Sequence, residues 1–443
     1  MNPLFVNADN TSRIYGIWDQ LDNMKYSKED IDKALQSASP YDVVMQRDTN
    51  GHGTYIAGLA CGNVDEQNDF YGMAPLSYIG VVKLKEAKPY LKEYYGVSQQ
   101  VECYQENDIM LGIDYLVQMA NELKCPLVIC LAIGTNLGDH NGNGFLGLYV
   151  DYIAGQVGKA VICATGNEAN AAHHFQGKLE MEAGYEDVEI RVGEETKGFT
   201  LQLWVRTPDR MAVGFASPTG EVFEKVSAKI NGSSVLKFSF EDSIIYVDYW
   251  IFQQAVGDEL IEMRFFNPTP GIWTVRIYNE GVIDGGYNLW LPVSKMIEGD
   301  TFFLRPEPDI TVTEPGNSSF CVTVGGYNHR NGSIYISSGR GNARDGRTKP
   351  DIVAPAVDVS GPGLRNYFVR TGTSSSVALC AGAAALVFQW AFVKENDIRM
   401  NGNVLRKYLI LGADRTKIRE YPNREWGYGV LNIYNVFNVL RKN

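Results

Sequence analysis

Gly372-Thr373-Ser374-Ser375-Ser376-Val377-Ala378-Leu379-Cys380-Ala381-Gly382-Ala383-Ala384-Ala385-Leu386 joins a serine to an almost unbroken run of small apolar residues. A helix beginning here carries unpaired N–H groups and the positive end of its dipole at the serine, so charge developing near that hydroxyl is stabilised. The small residues behind it let the helix pass through a packed core. Alone, such a stretch reads as a capped core helix. If the serine is a nucleophile, the chain must also supply a histidine, an oxyanion donor and a carboxylate.

Of five histidines, His52 stands in Asp48-Thr49-Asn50-Gly51-His52-Gly53-Thr54, ahead of Tyr55-Ile56-Ala57-Gly58-Leu59-Ala60. Glycines again bracket a polar side chain at the start of an apolar helix. Val161-Ile162-Cys163-Ala164 reads as a short buried strand ending in Thr165-Gly166-Asn167-Glu168. An asparagine held there can aim its amide at a developing oxyanion. Taken singly, each of these two segments is a turn signal.

In the order His52, Asn167, Ser374, with these local sequences, the chain resembles the subtilisin-like serine peptidases. Tyr71-Gly72-Met73-Ala74-Pro75, Tyr78-Ile79-Gly80-Val81-Val82-Lys83 and Lys349-Pro350-Asp351-Ile352-Val353-Ala354-Pro355 match the same family. Ile17-Trp18-Asp19-Gln20, Val82-Lys83-Leu84-Lys85-Glu86-Ala87-Lys88 and Tyr421-Pro422-Asn423-Arg424-Glu425-Trp426-Gly427-Tyr428-Gly429 narrow the likeness to the germination proteases of clostridia and other spore-forming gut Firmicutes. The resemblance implies a serine endopeptidase with Ser374 as nucleophile, His52 as base, and Asn167 with the Ser374 N–H as oxyanion donors. It implies that Ala132-Ile133-Gly134 pairs with extended substrate and, with Ala164-Thr165-Gly166, flanks the pocket for the residue before the scissile bond. The implied substrate is a protein or peptide, with the zymogen of a spore-cortex hydrolase as the candidate the group suggests. The alternative is a catalytically silent scaffold, since the group also contains pseudoproteases.

The carboxylate is the difficulty. The family's aspartate ends a Val/Ile-rich strand and is followed by Ser/Thr-Gly, and no such run occurs here. Asp19, after Arg13-Ile14-Tyr15-Gly16-Ile17-Trp18, is the stand-in, but Gln20-Leu21 follows it. In the group this chain resembles, Ile-Trp-Asp-Gln lies downstream of the catalytic aspartate, and Asn2-Pro3-Leu4-Phe5 with Thr11-Ser12-Arg13-Ile14 fits that later stretch. The resemblance therefore implies that the aspartate and the first strand lie upstream of Met1. Around the serine, Ser375, Ser376 and Ala378 replace the family's Met, Ala and Pro, and Ala356 stands where glycine is usual; little chemical effect is expected from them.

At 443 residues and 45% hydrophobic the chain can bury a large core divided over two or more domains. A formal net charge of −12 argues against nucleic acid as a partner. No run of 18 apolar residues is visible, so no membrane span is expected. Met1-Asn2-Pro3-Leu4-Phe5 carries no signal-peptide pattern, which leaves localisation open, with cytoplasm or spore as the expectation. Seven cysteines is an odd number; Cys130, Cys163, Cys321 and Cys380 lie in apolar runs, and free thiols are expected. His140, His173, His174 and His329 lack zinc spacing, and the pair His173-His174 is expected at the surface near the cleft. No cofactor is expected, and structural calcium has no assignable loop.

Up to Gly177, apolar strands (78–84, 127–133, 161–164) alternate with helical patterns (108–123, 147–157), which predicts an α/β fold. Its parallel sheet would carry helices on both faces. From Lys178 to Arg305 the texture changes to short runs rich in β-branched and aromatic residues, divided by Pro218-Thr219-Gly220, Asn231-Gly232, Pro270-Gly271 and Gly285-Gly286. That predicts an all-β, jelly-roll-like insertion over 178–305 in a subtilisin-like domain spanning 1–177 and 306–443. Rigidifying the catalytic domain is its expected role. The α/β pattern resumes with a strand at 320–326 and a helix at 403–411.

Overall fold

The computed structural model describes residues 2–253 and 256–441. In its α/β unit, β1 (Ile14–Asp19) pairs antiparallel with β2 (Met24–Ser27) and parallel with β3 (Ile79–Lys83). A second array places β4 (Leu127–Leu131), β5 (Lys159–Ala164), β6 (Val322–Tyr327) and β7 (Ile352–Pro355) side by side in that order, all parallel. β5 explains why helices cover both faces. Its Ala160, Ile162 and Ala164 join a core with the helices Thr373–Phe388, Gly402–Gly412 and Ile433–Leu440. Its Val161 and Cys163 face Ile113 of helix Glu106–Glu122 and Val150 and Ile153 of helix Phe145–Ala154. A strand buried on both faces reads as a continuous apolar run because neither face meets water.

The parallel strands do not form one sheet. β3 and β4 are both terminal in their arrays, yet helix Glu106–Glu122 packs across β1, β3 and β4 alike. Apolar side chains on these two terminal strands, Val81, Val82, Val128 and Cys130, are only half-buried. Parallel strands are normally covered on every side, and two facing open edges inside one α/β unit leave room for extended backbone.

The Ser374 helix runs through the core. Its small side chains let it lie close to the His52 helix (His52–Cys61): a Cβ on Gly382 would fall 2.4 Å from the Ala60 carbonyl oxygen. With the π-helical turn Gln389–Val393 it makes 21 residues, long and apolar enough by composition to cross a membrane. It is not an unbroken apolar run, since Thr373, Ser374, Ser375, Ser376 and Gln389 lie within it. Its apolar faces are instead taken up by β4, β5, β6, β7 and the His52 helix.

Beneath it lies an ionic cluster. Asp351 accepts from Lys349 Nζ (3.3 Å), the Thr323 N–H (2.8 Å) and Arg406 Nε (2.7 Å), and is fully buried. Burial opposes its ionisation, but Lys349 and Arg406 hold its carboxyl below the ordinary carboxylate value. Asp351→Ala leaves the buried Lys349 ammonium uncompensated and is expected to cost about 3–5 kcal/mol. Urea unfolding of the variant checks this: an unchanged midpoint would mean the cluster contributes nothing.

The insertion is a sandwich of a five-stranded and a six-stranded antiparallel sheet, drawn from strands between His174 and Phe303. Strand Gly198–Val205 is buried along its whole length. Phe199, Leu201, Leu203 and Val205 fill the sandwich, while the opposite face docks on the α/β unit. Thr200 Oγ1 donates to the Tyr95 carbonyl (2.8 Å), and Gln202 Oε1 accepts the Gly138 N–H (3.0 Å). At the same junction Trp290 stacks between His140 (4.0 Å) and His174 (4.8 Å). His173 and His174 are therefore buried rather than at the surface, because the insertion covers them. Burial keeps His140 neutral, down to about 3.

All seven cysteines are free thiols.

Candidate active site

His52, Asn167 and Ser374, more than 100 residues apart in sequence, line one continuous cleft of about 3280 Å³. Ser374 sits in the first turn of its helix, half-exposed behind the buried Thr373. Asn167 lies just past β5. Its Oδ1 accepts the Thr373 N–H at 3.0 Å, which fixes the amide and leaves its NH2 group without a partner among the described residues. Its donor is thus free beside the Ser374 hydroxyl's helix turn.

His52 is the first residue of its helix, and Asp48 organises the turn before it. One Asp48 oxygen accepts the N–H groups of Asn50 (3.1 Å) and Gly51 (2.7 Å); the other takes the N–H (3.0 Å) and hydroxyl (2.6 Å) of Thr54. Asp48 is thereby committed to the helix cap. Among the described residues the His52 ring has no hydrogen-bond partner. Burial lowers its pKa from the ordinary 6.5, and Arg370 and Lys295 add to the effect against the opposing charges of Asp48 and Glu102. Asp19 exerts no such influence. It closes β1, accepts the Leu21 N–H at 2.9 Å, and lies 3.5 Å from Lys83 Nζ.

Of the expected substrate-flanking residues, Ala132, Ile133, Gly134, Ala164 and Gly166 line the cleft. Thr165 does not. It is fully buried, its hydroxyl 3.3 Å from Ser338 Oγ, because the residue after β5 points into the core there. Sequence reasoning also missed several neighbours. Tyr55 Oη ties the His52 helix to Ser375 Oγ (2.9 Å), and Ser376 Oγ donates to the Ala354 carbonyl (3.0 Å). Ser375 thus joins the two helices, and Ser376 ties the Ser374 helix to β7. Thr313 packs between Gly134 and Gly166 on the cleft wall, its buried hydroxyl unpaired among the described residues. No local signal marks it, since it is brought there by a loop remote in sequence. Among the described residues no group of three or more His, Cys, Asp or Glu could hold a metal ion.

The subtilase family model matches residues 17–221 and 305–429, and the chain belongs to that family. The match breaks off within the antiparallel insertion and resumes after it. The chain is also similar to the CspB protease of Clostridium perfringens, with a TM-score of 0.89 and 28% identity, covering 99% of this chain and 90% of that one. Over 146 residues it is 30% identical to serine protease AprX of Bacillus subtilis (strain 168), a match of 28% of this chain and 31% of that protein. The chain thus spans about a third of that curated relative.

Proposed function

We propose that the chain provides the nucleophile, base and oxyanion site of a serine endopeptidase acting on a protein substrate. The observation that carries this reading is the convergence of His52, Asn167 and Ser374 on one cleft, with the Asn167 amide locked by Thr373. Ser374 Oγ attacks the substrate carbonyl carbon as His52 takes its proton. The Asn167 NH2 and the Ser374 N–H donate to the oxyanion, and His52 then returns the proton to the leaving amine. In subtilisin, removal of the corresponding asparagine costs about 2.7–4 kcal/mol. Ala132–Gly134 pairs with the substrate backbone on the side preceding the scissile bond. The match to the CspB protease supports a clostridial-type peptidase, with a spore-germination zymogen as the proposed substrate.

The third catalytic group is proposed to come from a further extended segment that occupies the interval between β3 and β4 and carries a carboxylate to His52. The open edges and half-buried apolar side chains there support it. The competing reading, a silent scaffold, draws on the unpartnered His52 ring.

Fluorophosphonate labelling tests the peptidase reading. Wild-type protein is expected to be labelled and Ser374→Ala not; absence of label in a protein whose β3–β4 interval is filled would refute it. The pH dependence carries further information. His52 acts only when neutral, and its pKa lies below 6.5. The labelling rate is therefore expected to rise with pH through a midpoint below that value, then level off. A midpoint above 6.5 in this chain would mean that a carboxylate already faces the ring.

A further inference from the structure

The cleft does not end at the catalytic residues. Past Gly134 it continues along Leu137 and Gly138 to the outer face of the insertion's six-stranded sheet. Three strands meet there in register, so that Trp204, Leu260 and Trp250 form one cross-strand row, and Gln202, Glu262 and Asp248 the next. Trp204 and Leu260 are buried, Trp250 is half-exposed, and Phe252 beyond it is 66% exposed. Tyr94, 37% exposed, donates to Glu262 (3.4 Å), and Phe145, 62% exposed, lines the cleft as well. All of them line the same cleft as Ser374. A large apolar surface kept open inside a cleft, rather than scattered singly, marks a binding surface.

The charge around it is mixed, since Arg264 lies over the Tyr94 ring (3.9 Å) and pairs with Asp248 (2.6 Å), and Arg344 lies over the Trp204 ring (5.6 Å). Glu102, Glu106 and Glu262 line this stretch as well, so its selective feature is the apolar surface and not a single charge. Gln202 fastens the floor to the catalytic unit. Its Oε1 takes the Gly138 N–H and the Trp204 indole N–H (3.2 Å), and its Nε2 donates to Glu262 (3.0 Å). The trough is therefore held in fixed relation to the Ala132–Gly134 edge.

We propose that this trough is a substrate subsite supplied by the insertion. It takes apolar or aromatic residues from the part of the protein substrate that precedes the scissile bond. The inference rests on the peptidase reading for the substrate's direction, but not for the existence of the subsite. The insertion would then select substrate in addition to bracing the domain.

The test uses the full chain carrying Ser374→Ala, so that binding is read without turnover. Two pools of fluorescein-labelled dodecapeptides share eight randomised C-terminal positions. Their four N-terminal positions are drawn either from Phe, Trp and Leu or from Gly, Ser and Thr. The first pool is expected to bind about tenfold more tightly, the order of gain from burying one large apolar side chain after ordering costs. Adding Phe252→Ala or Tyr94→Ala is expected to remove most of that difference; both side chains are exposed enough to be dispensable for folding. Equal affinity for the two pools, or a preference untouched by both substitutions, would overturn the proposal. Fluorophosphonate labelling of the wild type reports separately. Labelling without pool preference refutes the subsite alone, and preference without labelling of a protein whose β3–β4 interval is filled refutes the peptidase reading while leaving a peptide-binding trough.

Discussion

Supplying an extended peptide that fills the interval between β3 and β4 and ends in an aspartate is expected to raise turnover at Ser374 by about 10⁴-fold. The figure is subtilisin's, in which loss of the triad aspartate alone costs about 3 × 10⁴ in kcat. The physical cause is the state of His52. Its ring has no hydrogen-bond partner among the described residues, and burial, Arg370 and Lys295 all disfavour the imidazolium that forms when Ser374 is deprotonated. A carboxylate against Nδ1 would fix the tautomer and stabilise that cation. The same addition should move the midpoint of the pH–rate profile upward, because it favours protonated His52. It should also raise thermal stability, since Val81, Val82, Val128 and Cys130 would lose their contact with water. Turnover of a fluorogenic peptide, with and without the added segment and with an Asp→Asn version, measures the effect. If the Asn version activates equally, the segment acts by completing the sheet and not through its charge.

Ser374→Ala is expected to have an effect that depends on that same interval. In subtilisin, removal of the serine or histidine costs about 2 × 10⁶ in kcat, against about 3 × 10⁴ for the aspartate, and the losses do not add. With His52 unpartnered, most of the advantage of an activated serine is already absent. The substitution should then cost only the ratio of those values, about 70-fold. With the interval filled by an aspartate-bearing segment it should cost about 10⁶-fold. In both contexts Ser374→Ala should retain weak catalysis from the oxyanion donors. Comparing the two contexts in one assay distinguishes a triad lacking one member from an inert cleft. An identical, negligible loss in both would mean that Ser374 is not the nucleophile.

The local sequences around His52, Asn167 and Ser374 made the candidate site legible because each residue stands at an element's end, flanked by glycine and backed by an apolar run. Those are short-range signals, set by backbone freedom and by burial on one strand or helix. The two-faced burial of β5 was legible for the same reason, as was the change to short aromatic strands after Gly177. Thr165 was misplaced because one residue past a strand end reverses the face a side chain occupies. His173 and His174 were read as exposed because nothing adjacent in sequence reveals that the insertion folds back over them. Asp19 could be doubted from its neighbours, but only the pairing of β1 with β3 shows that it is spent on Lys83 and Leu21.

By itself, then, the sequence determined which residues are candidates for chemistry and which segments alternate between sheet and helix, since propensity, periodicity and turn residues act over a few positions. The tertiary structure alone decided that those residues share a cleft, that β3 and β4 face one another across an unfilled interval, and that the insertion's outer sheet extends the cleft. Each of these depends on contacts between residues far apart in the chain, and no local pattern encodes them.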